Sequence, residues 1–380
     1  MDKNNTIFFD KVSPLRDKIE CIDDQILSLL AQREEQVEKV TALKKAHQKP
    51  IYHPAREEDL ISRRRSQAIK SGMDPDLLED LYRIIFRQAR RKQTGQMDLR
   101  SINPNAKVLV VGGSGQMGNL FARLFAQSGY EVRILDQDDW DNATALCQDI
   151  DLVLVSVPIE KTEEVIHTIA PLIPANAVMA DLTSIKEGPL DAMCRAHQGP
   201  VAGLHPLFGP TSESLDKQIV VICPGRDDAA CAWITEQLMA WGAIIVQATA
   251  REHDQVMEIV QALRHFATFC FGDFLYHRRI PLERTLEFSS PIYRLELGMV
   301  GRLFAQDPSL YAEIIFATPE RIKLLKEYIA AFSRHIDMLD RNDKTEFIAE
   351  FEKLSQWFGP FSEQAMREST FIINKLIERF

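Results

Sequence analysis

Between about residues 10 and 46, apolar side chains recur at steps of three and four, at Leu15, Ile19, Ile22, Ile26, Leu29, Leu30, Val37, Val40 and Leu43. The stretch has no glycine, and its one proline, Pro14, stands near the start. Positions three and four apart share a helix face, so the spacing predicts one long amphipathic helix. At about 1.5 Å per residue it would reach roughly 50 Å, more than a hundred-residue domain covers alone. Its apolar stripe is therefore expected to pack against another chain. Pro50 and Pro54 break the pattern, and further helices are predicted at about 55–71 and 75–93, with Gly72, Asp74 and Pro75 as stop and restart between them. Residues 1–95 read as an all-helical domain and the polar stretch 96–105 as a linker.

Beyond the linker the period changes. Short, mainly apolar runs at 108–111, 132–135, 152–157, 177–181, 219–223 and 244–247 predict strands, the third of them buried on both faces as in a parallel sheet. They place an α/β domain at 106–250. From 251 the pattern is helical to the end, with Val256, Ile259, Val260 and Leu263 running into Phe266, Phe269, Phe271 and Phe274. Aromatics at that density demand cover, so 251–380 is expected to be an all-helical domain carrying a second interface between subunits.

Composition narrows the class without deciding it. The net charge of −10 is uneven: residues 1–100 hold 20 Lys+Arg against 17 Asp+Glu, and the remainder 25 against 38. A mildly basic front end suits small anionic ligands better than a nucleic-acid surface. Cys21, Cys147, Cys194, Cys223, Cys231 and Cys270 show no metal-ligand spacing, which points to reduced thiols, a cytoplasmic protein and no metal. No apolar run of about 18 residues predicts a membrane span.

The chemistry concentrates first at Gly113-Ser114-Gly115-Gln116-Met117-Gly118, which follows an apolar run and precedes Leu120, Phe121, Leu124 and Phe125 at helical spacing. Strand, G-x-G-x-x-G turn and helix together form a dinucleotide-binding entrance. The first glycine permits the tight turn, the second lets backbone approach a pyrophosphate, and the third allows close packing. A second run ends at Asp136, where a carboxylate accepts ribose hydroxyls and repels a 2′-phosphate, favouring NAD over NADP. Ser156-Val157-Pro158, after a later strand, complete the expected cofactor lining.

At the front end, Arg16, Arg33, Lys44 and Arg56 stand in or beside the apolar stripe, with Glu57 and Gln93 as polar companions. Arg33 and Lys44 are eleven residues apart, nearly three turns, and so share a face. Arg16 lies roughly 25 Å from Arg33 along the axis. If these cations share a ligand, Arg16 must come from a partner chain. The pattern Leu15-Arg16-Asp17-Lys18-Ile19, Leu30-Ala31-Gln32-Arg33, Lys44 and Pro50-Ile51-Tyr52-x-Pro54-x-Arg56-Glu57 resembles the all-helical chorismate mutase domains of aromatic biosynthesis, which are intertwined dimers. The resemblance implies that Arg16 of one chain joins Arg33, Lys44, Arg56, Glu57 and Gln93 of the other. The chemistry agrees, because rearranging chorismate to prephenate needs charge and positioning rather than a nucleophile. Arginines clamp carboxylates, while Lys44 and Gln93 are able to donate to the breaking ether oxygen. His53 and Ala89 depart from residues that some members carry.

Further along, Asp181-Leu182-Thr183-Ser184-Ile185-Lys186 ends a strand, and Gly203-Leu204-His205-Pro206-Leu207-Phe208-Gly209-Pro210 fixes a histidine where a general base is useful. With Gln261-Ala262-Leu263-Arg264-His265-Phe266 and the run from Ser289 through Arg294 and Arg302 to Pro308, these segments resemble prephenate dehydrogenase from about 105 to 375. The resemblance as a whole is to bifunctional chorismate mutase/prephenate dehydrogenases. It implies a mutase-like helical domain, a Rossmann domain and a helical dimerisation domain, a homodimer, the substrates chorismate and prephenate, and feedback inhibition by tyrosine. It further implies His205 as base and Arg302 as carboxylate partner, with Ser184, Lys186, His265 and Arg294 in supporting contact. Thr211 replaces a glutamate of some relatives.

Two other readings compete. One is an NAD-dependent dehydrogenase of the 3-hydroxy acid type, with Lys186 as catalytic residue and the helical front end as a dimeriser. The other is an NAD-sensing regulator that binds nucleic acid through 63–65 and 90–92. The basic runs fit a solvated helix face better, with no reading helix and no interleaved aromatics, so no nucleic-acid partner is expected.

Overall fold

The computed structural model describes residues 3–46, 54–96, 101–210, 212 and 214–377, and their side chains outside 3–11, 45–46, 54 and 91–96. His53 and Thr211, and the side chain of Gln93, lie outside the described residues. Contacts divide the chain into two compact units, one of residues 1–156, 168–182 and 194–247, the other of 157–167, 183–193 and 248–380.

The first unit begins with α1 (Lys3–Ala46), α2 (Pro54–Lys70) and α3 (Pro75–Gln96). At 44 residues α1 starts seven residues earlier than the apolar period does, and Pro14 lies inside it. Likewise α3 runs on through Gly95, into the stretch expected to be linker. The α1 stripe is uncovered within the chain: Leu15, Ile19, Ile22, Ile26, Leu27 and Leu29 are each at least half exposed. The later part of the expected linker is tied down rather than loose, since the Ile102 N–H donates to Tyr130 Oη and Gln237 Oε1.

The strands are β1 (Lys107–Val111), β2 (Glu131–Leu135), β3 (Leu152–Val155), β4 (Val178–Asp181), β5 (Val201–Pro206), β6 (Ile219–Arg226) and β7 (Ile244–Gln247). They form one sheet in the order β2-β1-β3-β4-β5-β6-β7. All neighbours run parallel except β5 and β6. The runs 108–111 and 152–155 are central strands and almost wholly buried, whereas 132–135 and 244–247 form the edge strands β2 and β7 and are partly exposed. Burying each such side chain contributes about 1.5–3 kcal/mol. Between the strands lie α4 (Gln116–Gln127), the short α5 (Ala143–Leu146), α6 (Ile159–Ile169), α7 (Glu187–Ala196) and α8 (Asp228–Ala240). The face behind α4 is aromatic. Phe125 meets Tyr130 and Trp241 edge-on, and the Trp241 indole donates to Ser128 Oγ at 2.8 Å.

The second unit contains α9 (Ala250–Met257), a π-helical turn at Glu258–Leu263, α10 (Arg264–His277), α11 (Leu282–Glu287), α12 (Pro291–Phe304), α13 (Pro308–Phe316), α14 (Pro319–Asp340), α15 (Lys344–Phe358) and α16 (Pro360–Ile377). The helical period therefore holds to the end of the described chain but is broken by the π turn, which the sequence pattern does not mark. Phe269, Phe274, Phe288, Phe316 and Trp357 are exposed in the single chain. Among the described residues no helix is long and apolar enough to cross a membrane.

Candidate active sites

In the helical segment of the first unit, Arg33 is half-buried on α1 with its guanidinium over the Phe86 ring, 5.8 Å from the centroid. It borders a groove of about 340 Å³ between α1 and α3, walled by Leu27, Leu30, Val37, Ile84 and Ala89. That volume lies in the range of small-ligand sites. Lys44 lies within electrostatic reach of Arg56 and Glu57. Burial, and then the Arg56 charge, push its ammonium below the ordinary lysine range while Glu57 pulls it back up. Arg16 is exposed on α1, and Arg56 is exposed at the start of α2. The structure thus brings Lys44, Arg56 and Glu57 together.

Glu57 also has a partner the sequence reading assigned elsewhere. Arg90 belongs to the basic run 90–92, which reads as a solvated face, yet only 9% of its side chain is exposed. Its Nη1 donates to both Glu57 oxygens at 2.5 and 2.6 Å, and its Nε to Asp216 at 2.8 Å. The other run is paired too: Arg63 with Asp59, Arg65 with Asp76 and Glu79.

In the sheet, the chain leaves β1 to build β2 on one side and then β3 on the other, so the reversal point lies at the carboxyl ends of β1 and β3, where α/β ligands bind. The turn there differs in one detail from the motif reading. The left-handed conformation falls on Gly112, at φ +81°, one residue before the first motif glycine. Gly113 is needed for space, since a Cβ would sit 2.8 Å from Ile134 Cγ2. Gly118 is the tightest, with a Cβ 2.2 Å from the Gly112 oxygen. α4 then starts at Gln116 with no acidic residue in its first turn, and the first amides of a helix, which have no partner within it, suit an anion. The Asp136 carboxylate accepts the Ser114 N–H at 3.0 Å, which fixes it beside the turn. Close-packed glycines at 112, 113 and 118, a free helix start and a carboxylate just past β2 fit NAD. Ser156 follows β3 with its N–H on the Val111 carbonyl, and Val157 and Pro158 come next in the chain.

His205 is 3% exposed near the end of β5, in register with Val221 of β6. β5 runs parallel to β4, so His205 lies at the same edge of the sheet as the glycine turn. Asp181, fully buried, ends β4 opposite Gly203.

In the second unit, Lys186 is fully buried and Ser184 half-buried ahead of α7. The residue holding this turn, Asp254 of α9, was not singled out from the sequence. Its two oxygens accept the N–H groups of Lys186 and Glu187 at 2.8 and 2.9 Å, and His253 Nδ1 lies 2.7 Å away. Burial raises its pKa, but these bonds outweigh burial and hold the carboxyl below its ordinary range. The only signal was an adjacent His and Asp on a helix. Arg321, fully buried on α14, donates to the Ile314 carbonyl; burial lowers its pKa against the pull of Asp254 and Glu258. His265 follows the π turn, 8% exposed, with Tyr311 edge-on at 4.8 Å. Burial and the neighbouring Arg264 push its pKa down to about 4. Arg264 Nη2 lies 3.2 Å from Nδ1 and 3.5 Å from Nε2 of the ring. Arg294 donates to the Leu286 carbonyl and so secures the end of α11. Arg302 is exposed in the last turn of α12.

The chorismate mutase type II family matches residues 15–94; the nucleotide-binding and dimerization domains of prephenate dehydrogenase match 125–247 and 249–353. The T-protein of Enterobacter agglomerans is 45% identical over 94% of this chain and 96% of its own length. That of Haemophilus influenzae is 42% identical over 95% and 96%. Among solved structures, prephenate dehydrogenase from A. aeolicus, in complex with hydroxyphenyl propionate and NAD+, covers 66% of this chain and 96% of its own, with a TM-score of 0.54 at 18% identity. That likeness is one of fold.

Proposed function

Because the chain belongs to the T-proteins, the bifunctional chorismate mutase/prephenate dehydrogenases of tyrosine biosynthesis, we propose that residues of α1–α3 carry its first reaction and those of the sheet and later helices its second. It rearranges chorismate to prephenate, then oxidatively decarboxylates prephenate to 4-hydroxyphenylpyruvate with NAD. The observation that carries the dehydrogenase assignment is the buried His205 at the same sheet edge as the glycine turn.

For the mutase step, Arg33 and Arg56, with Arg16 of a second copy, hold the two carboxylates, and Lys44 and Gln93 donate to the ether oxygen as it gains charge. The ring hydroxyl is the one donor chorismate offers, and Glu57, an acceptor when ionised, receives it. The uncovered stripe of α1 supports a homodimer in which this exchange occurs.

For the dehydrogenase step, NAD held at 112–118 and Asp136 supplies the hydride acceptor. His205 takes the ring hydroxyl proton as that carbon is oxidised. Loss of carbon dioxide makes the ring aromatic, which drives the step forward. Arg302 pairs with a prephenate carboxylate, while Ser184, Lys186, His265 and Arg294 orient and shape the surroundings. Tyrosine acts as feedback inhibitor. The buried Cys147 and Cys231, pushed up to about 11 and about 12 by burial, remain thiols in a cytoplasmic setting.

The test is NADH absorbance with the purified chain, first with prephenate and then with chorismate. NADH from both, after a lag with chorismate and with inhibition by tyrosine, is expected; no NADH from chorismate overturns the two-reaction reading.

A further inference from the structure

Asp216 stands in the segment that joins β5 to β6, far in sequence from the mutase helices, and it is held firmly. Leu215 beside it is fully buried in the core behind the sheet. The Lys217 N–H donates to the Gly242 carbonyl at 2.9 Å, and a Cβ on Gly242 would sit 3.0 Å from the Asp216 Cα. Its carboxylate is thus a fixed point of the nucleotide-binding sheet. Arg90 reaches it with Nε while Nη1 sits between the two oxygens of Glu57. A guanidinium is planar, so fixing Nε also fixes where Nη1 points. Glu57 is four-fifths covered, with 21% of its side chain exposed, and its orientation follows that of Arg90.

We propose that Arg90 is a positioning residue of the mutase reaction: it orients the Glu57 carboxylate toward substrate, and Asp216 orients Arg90, so a side chain of the nucleotide-binding domain sets the geometry of the mutase site. This rests on the reading that Glu57 contacts chorismate. Arg90 touches no reacting atom. Its Nη1, shared by the two Glu57 oxygens, removes the freedom of a three-torsion side chain.

The experiment measures mutase and dehydrogenase kinetics on the full chain for Asp216→Ala, Arg90→Met, Glu57→Gln and the double variant Glu57→Gln/Arg90→Met. Asp216→Ala is expected to lower mutase kcat/KM about tenfold, and Arg90→Met about a hundredfold, with dehydrogenase kcat/KM on prephenate within about twofold of the parent. Adding Arg90→Met to Glu57→Gln is expected to cost little more, because the two side chains act as one unit. If Glu57→Gln lowers mutase activity while Asp216→Ala and Arg90→Met leave it unchanged, the proposal is overturned and the role of Glu57 stands. If Glu57→Gln itself leaves the mutase unchanged, the reading of Glu57 fails, and the proposal with it. A parallel fall of both activities in Asp216→Ala marks a purely structural strap and also overturns it. Should Arg90→Met not fold, Asp216→Ala decides alone.

Discussion

One carboxylate oxygen of Asp254 accepts the backbone N–H of Lys186 at 2.8 Å, across 68 positions of sequence. With the Glu187 bond, it caps the start of α7 and fixes the turn that carries Ser184 and Lys186. Asp254→Ala removes both acceptors and is expected to destabilise the second unit by about 1.5–3 kcal/mol for each lost charge-assisted bond. Differential scanning calorimetry checks this. Because the folded carboxyl is held below its unfolded value, its contribution is complete above the unfolded pKa and lost as pH falls through the folded one. Acid unfolding of the variant is therefore expected to show a weaker dependence on pH below about 4 than the parent does.

Gly118→Ala places a methyl carbon 2.2 Å from the Gly112 oxygen, and a backbone oxygen cannot yield as a side chain does. The turn must shift away from its phosphate-binding shape. NAD affinity, followed by NADH formation at varied NAD, is expected to fall at least about tenfold, while mutase kcat stays near the parent value.

His265 is neutral through the physiological range, its pKa near 4 held down by burial and Arg264. Unfolding would release it to an ordinary value of about 6.5, so the unfolded chain binds the extra proton between those limits and stability falls as pH drops from about 6.5 to about 4. In His265→Gln that part of the fall is expected to vanish from a plot of unfolding free energy against pH. A plot unchanged by the substitution contradicts the assignment.

His205→Asn is expected to lower dehydrogenase kcat by at least about a hundredfold, the usual contribution of a general base, with the Michaelis constant for prephenate largely kept. Near-normal turnover removes His205 from that role.

Arg33→Ala has the opposite profile. Mutase kcat/KM is expected to fall by at least about a hundredfold with prephenate oxidation retained, as measured by chorismate disappearance and NADH formation on the same preparation. Loss of both activities in a folded variant contradicts separate sites.

What the sequence made legible was whatever repeats or sits in a short local motif. The runs 108–111 and 152–155 declare central strands because a side chain buried on either face must be apolar, and Gly118 declares itself by its place behind a strand. Arg33, Lys44 and Glu57 were legible as a cationic and polar set, although spacing alone did not bring Glu57 to Lys44. The Arg90–Asp216 pair spans 126 positions and has no period; each residue alone looks like ordinary surface charge. Asp254 hides in the same way, since a carboxylate that caps another helix leaves no mark on its own. The π turn at 258–263 keeps a helical pattern of apolar residues and differs only in backbone bonding. The shift of the left-handed residue to Gly112 is hidden by the neighbouring Gly113, either of which tolerates that conformation.

The second unit takes two short stretches, 157–167 and 183–193, from the middle of the chain before the long tail that begins at Ala248. A gene severed at that point would encode a tail lacking both contributions, and the severed front would carry them with no tail to receive them. The span from Val157 onward, in which the two units interleave along the chain, is therefore inherited whole.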